Sequence, residues 1–66
     1  MNMYTILIGE TGNEQGYGVP NRATTDAGAI RAAKRACAAY SGDGWWIVSC
    51  DGQTVARGGR DTMLLT

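Results

Sequence analysis

Residues 3–8 (Met-Tyr-Thr-Ile-Leu-Ile) are β-branched, aliphatic or aromatic, and Gly9 ends the run. A strand suits that composition. Its two-residue period puts Tyr4, Ile6 and Ile8 on one face and Met3, Thr5 and Leu7 on the other. From Asp26 the pattern changes to an alanine-rich run reaching about Tyr40. Alanine has the highest helix propensity, and Thr24-Thr25-Asp26 supplies capping side chains in front of it. On a helical projection Ala29, Ile30, Ala33, Ala36, Cys37 and Tyr40 form one stripe, and Arg31, Lys34, Arg35 and Ala38 the opposite one. Gly28 is a weak point in the first turn, and Ser41-Gly42 suits the helix end.

Residues 45–50 (Trp-Trp-Ile-Val-Ser-Cys) read as a second strand, and Gln53 to Arg57 as its return. Between them Asp51-Gly52 fits a two-residue turn with positive φ at both positions. A regular hairpin around that turn pairs Cys50 with Gln53, Ser49 with Thr54, Val48 with Val55, Ile47 with Ala56, and Trp46 with Arg57. Gly58-Gly59 is expected to break the strand. Residues 9–23 form a long connection for so small a chain. Within it Tyr17-Gly18-Val19 could return beside the first strand as a short edge strand ended by Pro20.

The expected fold is therefore a single α+β domain: a small antiparallel sheet of three strands, or four with Tyr17–Val19, and one helix packed on one face. A split arrangement satisfies the order, with a right-handed crossover placing the last strand between the first and the tryptophan strand.

Composition narrows the function. The chain has 66 residues, and one this short buries only ~60% of the surface its unfolded form exposes. A deep substrate pocket and a core would compete for the same few side chains. Six Lys and Arg balance six Asp and Glu. Bulk charge therefore predicts neither a nucleic-acid binder nor an acidic mimic of DNA. No apolar run approaches the ~20 residues that span a bilayer, and Met1-Asn2-Met3-Tyr4 lacks a basic leader region. A cytoplasmic protein with no membrane partner is the expectation.

There is no histidine, which removes the usual general base and most metal and triad chemistry. Cys37 and Cys50 have neither metal nor redox-motif spacing, so buried, reduced thiols are expected. A Cys37–Cys50 disulfide requires helix and sheet to face each other there. Glu10, Glu14, Asp43, Asp51 and Asp61 all fit turn and loop roles. Gly9-Glu10-Thr11-Gly12 lacks the Gly-Lys-Ser/Thr ending of a phosphate-binding loop. No catalytic residue, metal site or cofactor is assigned, and an enzyme is not expected.

Two surfaces remain as candidate partner sites. Arg31, Lys34 and Arg35 form a basic helix face, suited to phosphates or an acidic protein patch. Trp45 and Trp46 load both faces of the sheet, and one helix covers only one of them. The other face needs the Met63-Leu64-Leu65 tail, the long loop, a second copy or a partner to cover it. The uncovered tryptophan, with Arg57 near it, is the expected anchor, and Trp46 opposite Arg57 would make a cation–π pair.

Residues 4–8 (Tyr-Thr-Ile-Leu-Ile), then Gly16-Tyr17-Gly18-Val19-Pro20, then the capped helix at Thr25-Asp26 resemble the opening of HicB-type antitoxins over about forty residues. The aromatic and cysteine-containing hairpin departs from that family. The whole chain also resembles small phage-borne anti-CRISPR proteins in its size, its lack of catalytic residues and its sheet-plus-helix plan (residues 3–9, 26–40 and 45–57). That resemblance is one of fold and style, with no shared motif. It implies stoichiometric inhibition, by occupying a surface that a CRISPR-Cas complex or its nuclease needs. The alternative expectation is a nucleic-acid-binding accessory or antitoxin-like protein using the basic helix. The partner is thus expected to be a protein or ribonucleoprotein complex, with direct nucleic-acid binding second.

Overall fold

The structure, a computed structural model, describes residues 3–10, 12, 15–40 and 44–59. In chain order the elements are β1 (Tyr4–Gly9), β2 (Tyr17–Val19), α1 (Asp26–Tyr40), β3 (Trp45–Cys50) and β4 (Gln53–Gly59). The strands form one antiparallel sheet in the order β2-β1-β3-β4, with α1 on one face. The α+β class and the short second strand are as the sequence predicts.

The split topology is present with different strands. β1 pairs antiparallel with both β2 and β3, so β2 and β3 run the same way with β1 between them. Helix α1 is the crossover that joins them. The expected insertion of the last strand between β1 and β3 does not occur, and β4 takes the edge. The reason lies in its residues. Gln53, Thr54 and Arg57 of β4 are exposed, and such a strand gains little from an interior place. Ile6 and Ile8 of β1 are buried and suit the interior position.

Register then builds the core. Tyr4 faces Cys50, Ile6 faces Val48 and Ile8 faces Trp46, all on the helix side. Ala29, Ala33 and Cys37 of α1 are buried above them. The sheet supplies the bulk and the helix supplies closeness, because alanine lets the backbone approach. Ile30 and Ala36 are partly buried at the rim, and Tyr40 is about half exposed.

Side chains at the start of α1 tie it to the sheet. Thr25 Oγ1 accepts from the Gly28 amide at 3.1 Å, capping the first turn. Tyr4 donates its hydroxyl hydrogen bond to the Asp26 carboxylate. Asn21 donates to the Tyr4 and Val19 carbonyls at 3.2 and 3.3 Å, and its Oδ1 accepts from the Ala23 amide at 3.1 Å. One side chain thus fixes the path from β2 into α1, a role the sequence reading missed.

The hairpin departs from regular register. Asp51 and Gly52 have φ of 52° and 86°, as the two-residue turn requires. Cys50–Gln53 and Ser49–Thr54 pair as expected. A bulge then shifts the ladder: Val48 faces Ala56, Ile47 faces Arg57, Trp46 faces Gly58 and Trp45 faces Gly59. The expected Val48–Val55, Ile47–Ala56 and Trp46–Arg57 pairs are each off by one residue. Gly58 shows why the shift is useful. A Cβ there would lie 2.7 Å from the Trp46 ring, so Trp46 needs glycine opposite it. Gly58 and Gly59 belong to the strand rather than breaking it.

Gly52→Val should lower the melting temperature clearly, since a β-branched residue resists the positive φ at this turn. Thermal unfolding followed by circular dichroism checks this, and an unchanged midpoint would contradict the turn. Ile30→Ala should cost about 1–2 kcal/mol, below the ~2–5 kcal/mol of a fully buried site. Arg31→Ala should stay within about 0.5 kcal/mol. Equal losses in urea denaturation would mean that the helix is rotated.

Candidate functional site

Arg31, Lys34 and Arg35 are all exposed on the side of α1 facing away from the sheet. The helix has one carboxylate, Asp26, and it accepts the Tyr4 hydrogen bond. Three and four residues on either side of each basic group stand only alanine, glycine, cysteine, isoleucine or another basic residue. Arg31 therefore has Lys34 and Arg35 as its helical neighbours. Like charges at these spacings repel by roughly 0.2–0.5 kcal/mol per pair. Among the described residues no carboxylate offsets this face.

Neither tryptophan is the exposed anchor expected from the sequence. Trp45 is 4% exposed and Trp46 7%. Trp46 belongs to the helix-side core. Trp45 lies on the other face of the sheet, against two glycines. A Cβ at Gly9 would be 2.3 Å from its ring, and one at Gly16 would be 2.6 Å away. The glycines therefore give a large ring somewhere flat to lie.

Arg57 also falls on this outer face, because the bulge pairs it with Ile47. The expected pairing of Arg57 with Trp46 is thereby removed: the two lie on opposite sides of the sheet. So do Arg57 and the basic helix face. The six predicted partner-binding residues thus divide into one exposed basic face, two buried rings and one arginine on the far side. The rest of the outer face includes Met3, Thr5, Leu7 and Thr54, all exposed, with Ile47 and Ser49 half-buried. The proposed cover by Met63-Leu64-Leu65 lies outside the described residues, as do Glu14, Asp43 and Asp61.

The cysteines are far apart. Cys37 is buried and its thiol donates to the Trp45 carbonyl at 3.6 Å. Cys50 lies at the other end of β3, half-buried, with its thiol 3.7 Å from Asp51 Oδ2. A strand of this length separates its ends by roughly 17 Å, so no disulfide links them. Both are free. Partial burial pushes the Cys50 thiol up, and the negative charges of Asp51 and Asp26 add to the shift. A thiol held protonated is a poor nucleophile.

A cluster that the sequence reading did not assemble sits at the β2 edge. The rings of Tyr17 and Tyr40 meet edge to face, with centroids 5.5 Å apart and planes at 62°. Glu10 interacts with the Tyr40 hydroxyl. The signal was present in part: Tyr40 closes the apolar helix stripe, and Tyr17 begins the short strand. Only the strand order brings them together.

Among the described residues no three His, Cys, Asp or Glu side chains group as metal ligands, and no helix is long and apolar enough to cross a membrane. Comparison with family models, with curated proteins and with solved structures returned no match to this chain.

Asp51→Asn should raise the alkylation rate of Cys50 at pH 8 severalfold, because it removes a charge that holds the thiol protonated while Asn-Gly still suits the turn. Iodoacetamide labelling, located by tandem mass spectrometry, checks it. An unchanged rate would show that Asp51 does not contribute and that partial burial and Asp26 set the shift.

Proposed function

We propose that the chain is a non-catalytic binding protein that blocks a macromolecular target stoichiometrically, through the face of α1 bearing Arg31, Lys34 and Arg35. The reading rests on one observation: three neighbouring cations stand exposed on the helix with, among the described residues, no carboxylate beside them. A purely solvated helix face gains stability by interleaving acids with bases, and this one forgoes it. A partner rich in negative charge would offset the repulsion and steer association. The resemblance to anti-CRISPR proteins suggests a nucleic-acid-loaded CRISPR-Cas complex or its nuclease, met in the cytoplasm of a host cell. Self-association through the outer sheet face, where Met3 and Leu7 are exposed, is compatible with this use of the helix.

The same basic face supports a second reading, direct binding to nucleic acid. Salt separates the two. Three phosphate contacts on duplex DNA would cost about 40-fold in affinity between 50 and 200 mM salt. Inhibition of a protein complex predicts tight, stoichiometric capture of that complex and little affinity for free DNA. In either case Lys34→Glu with Arg35→Glu should slow association markedly while circular dichroism stays unchanged. A folded double variant that binds the isolated target like the parent would place the interface elsewhere.

A further inference from the structure

The Tyr17–Tyr40 cluster lies apart from the basic helix face and differs from it in sign. On the helical projection Tyr40 points to the side opposite Arg31. It reaches past the core to the short strand β2, where Tyr17 meets it. Tyr17 is 51% exposed and Tyr40 44%. Two half-exposed aromatic rings in contact are more than the core needs, because neither fills it.

Three features make this corner electronegative. Aromatic faces carry the negative part of the ring quadrupole. The Glu10 carboxylate acts on the Tyr40 hydroxyl. Tyr40 is also the last residue of α1, whose final turn has no basic side chain. The negative end of the helix dipole is therefore uncompensated by a cation from that turn. The Tyr40 phenol reports the same environment. Desolvation, then Tyr17, then Glu10 raise its pKa above the ordinary 10.0.

We propose that Tyr17, Tyr40 and Glu10 form a recognition site for a cationic side chain, an arginine of a partner polypeptide. Charge and shape select that occupant. A guanidinium is planar and stacks on a tyrosine face, while its N–H fork donates to a carboxylate. The Tyr17 and Tyr40 rings are each about half exposed, and Ile8 pairs with Tyr17, so Glu10 follows just beyond that pair at the end of β1. An ammonium would gain the charge attraction without the stacking. An anionic partner would meet repulsion from the carboxylate and from any ring face it approached.

The test uses the full chain and the capped tripeptide Gly-Arg-Gly, followed by NMR. Its control is the same peptide with citrulline, which keeps the shape and hydrogen-bonding edge but lacks the charge. Arginine peptide should give saturable shifts centred on the Tyr17 and Tyr40 ring protons and the Gly16 and Gly18 amides. The citrulline peptide should give far smaller ones. Tyr17→Leu keeps apolar bulk on the edge strand and should weaken binding about two- to fivefold, the scale of an exposed cation–π contact. Glu10→Gln should weaken it further and make the remainder insensitive to salt. Tyr17→Phe should retain most of the affinity, which separates loss of the ring from loss of the strand. Equal shifts with citrulline, or unchanged affinity in folded Tyr17→Leu and Glu10→Gln variants, would overturn the proposal.

Discussion

Ile6 and Val48 face each other across the two central strands and are fully buried beneath the alanine stripe of α1. Each such side chain contributes roughly 1.5–3 kcal/mol by leaving water, a large share of a small domain's margin. The contact needs both partners: branched side chains on the sheet, and Ala29 and Ala33 on the helix so that nothing holds the layers apart. Much of the rest follows from it. Once α1 lies on this pair, Tyr4 and Asp26 meet at one end of the helix. Tyr40 is carried over β2 at the other end, and the basic residues are turned outward.

That layering also separates the surfaces by charge and character. The side of α1 away from the sheet is basic. The far side of the sheet is mixed, with Met3, Leu7, Thr5 and Arg57. The β2 edge holds two tyrosines and a carboxylate. A chain of zero net charge is thus locally polarised, and its interactions depend on which side meets the partner.

Local elements were legible in the sequence because local chemistry dictates them. The alanine run and Thr25 define the helix, and Asp51-Gly52 defines the turn. The alternation in residues 3–8 correctly separates Tyr4, Ile6 and Ile8 from Met3, Thr5 and Leu7. Strand order was misread because pattern alone does not say which strand takes the edge. Register failed after two pairs because the bulge at Val55 answers a tertiary demand, the space beneath Trp46. The predicted site suffered from the same error. A one-residue slip moves side chains to the other face, so Arg57 left Trp46 and joined the outer surface. The basic helix face needed only the helical period and stands where the sequence placed it. The tyrosine pair depends on residues 23 positions apart, and each ring had its local place while their contact had no local signal.

The bulge has a consequence beyond the placing of Arg57. Among the described residues β4 is the long margin of the sheet, and an uninterrupted margin of paired-strand geometry invites ladder growth from chain to chain. The extra residue bends the strand and breaks the even spacing of its donors and acceptors. The opposite margin, β2, is three residues long and is followed by Pro20, which has no amide hydrogen to offer. Both margins are therefore poor templates for fibril-like stacking.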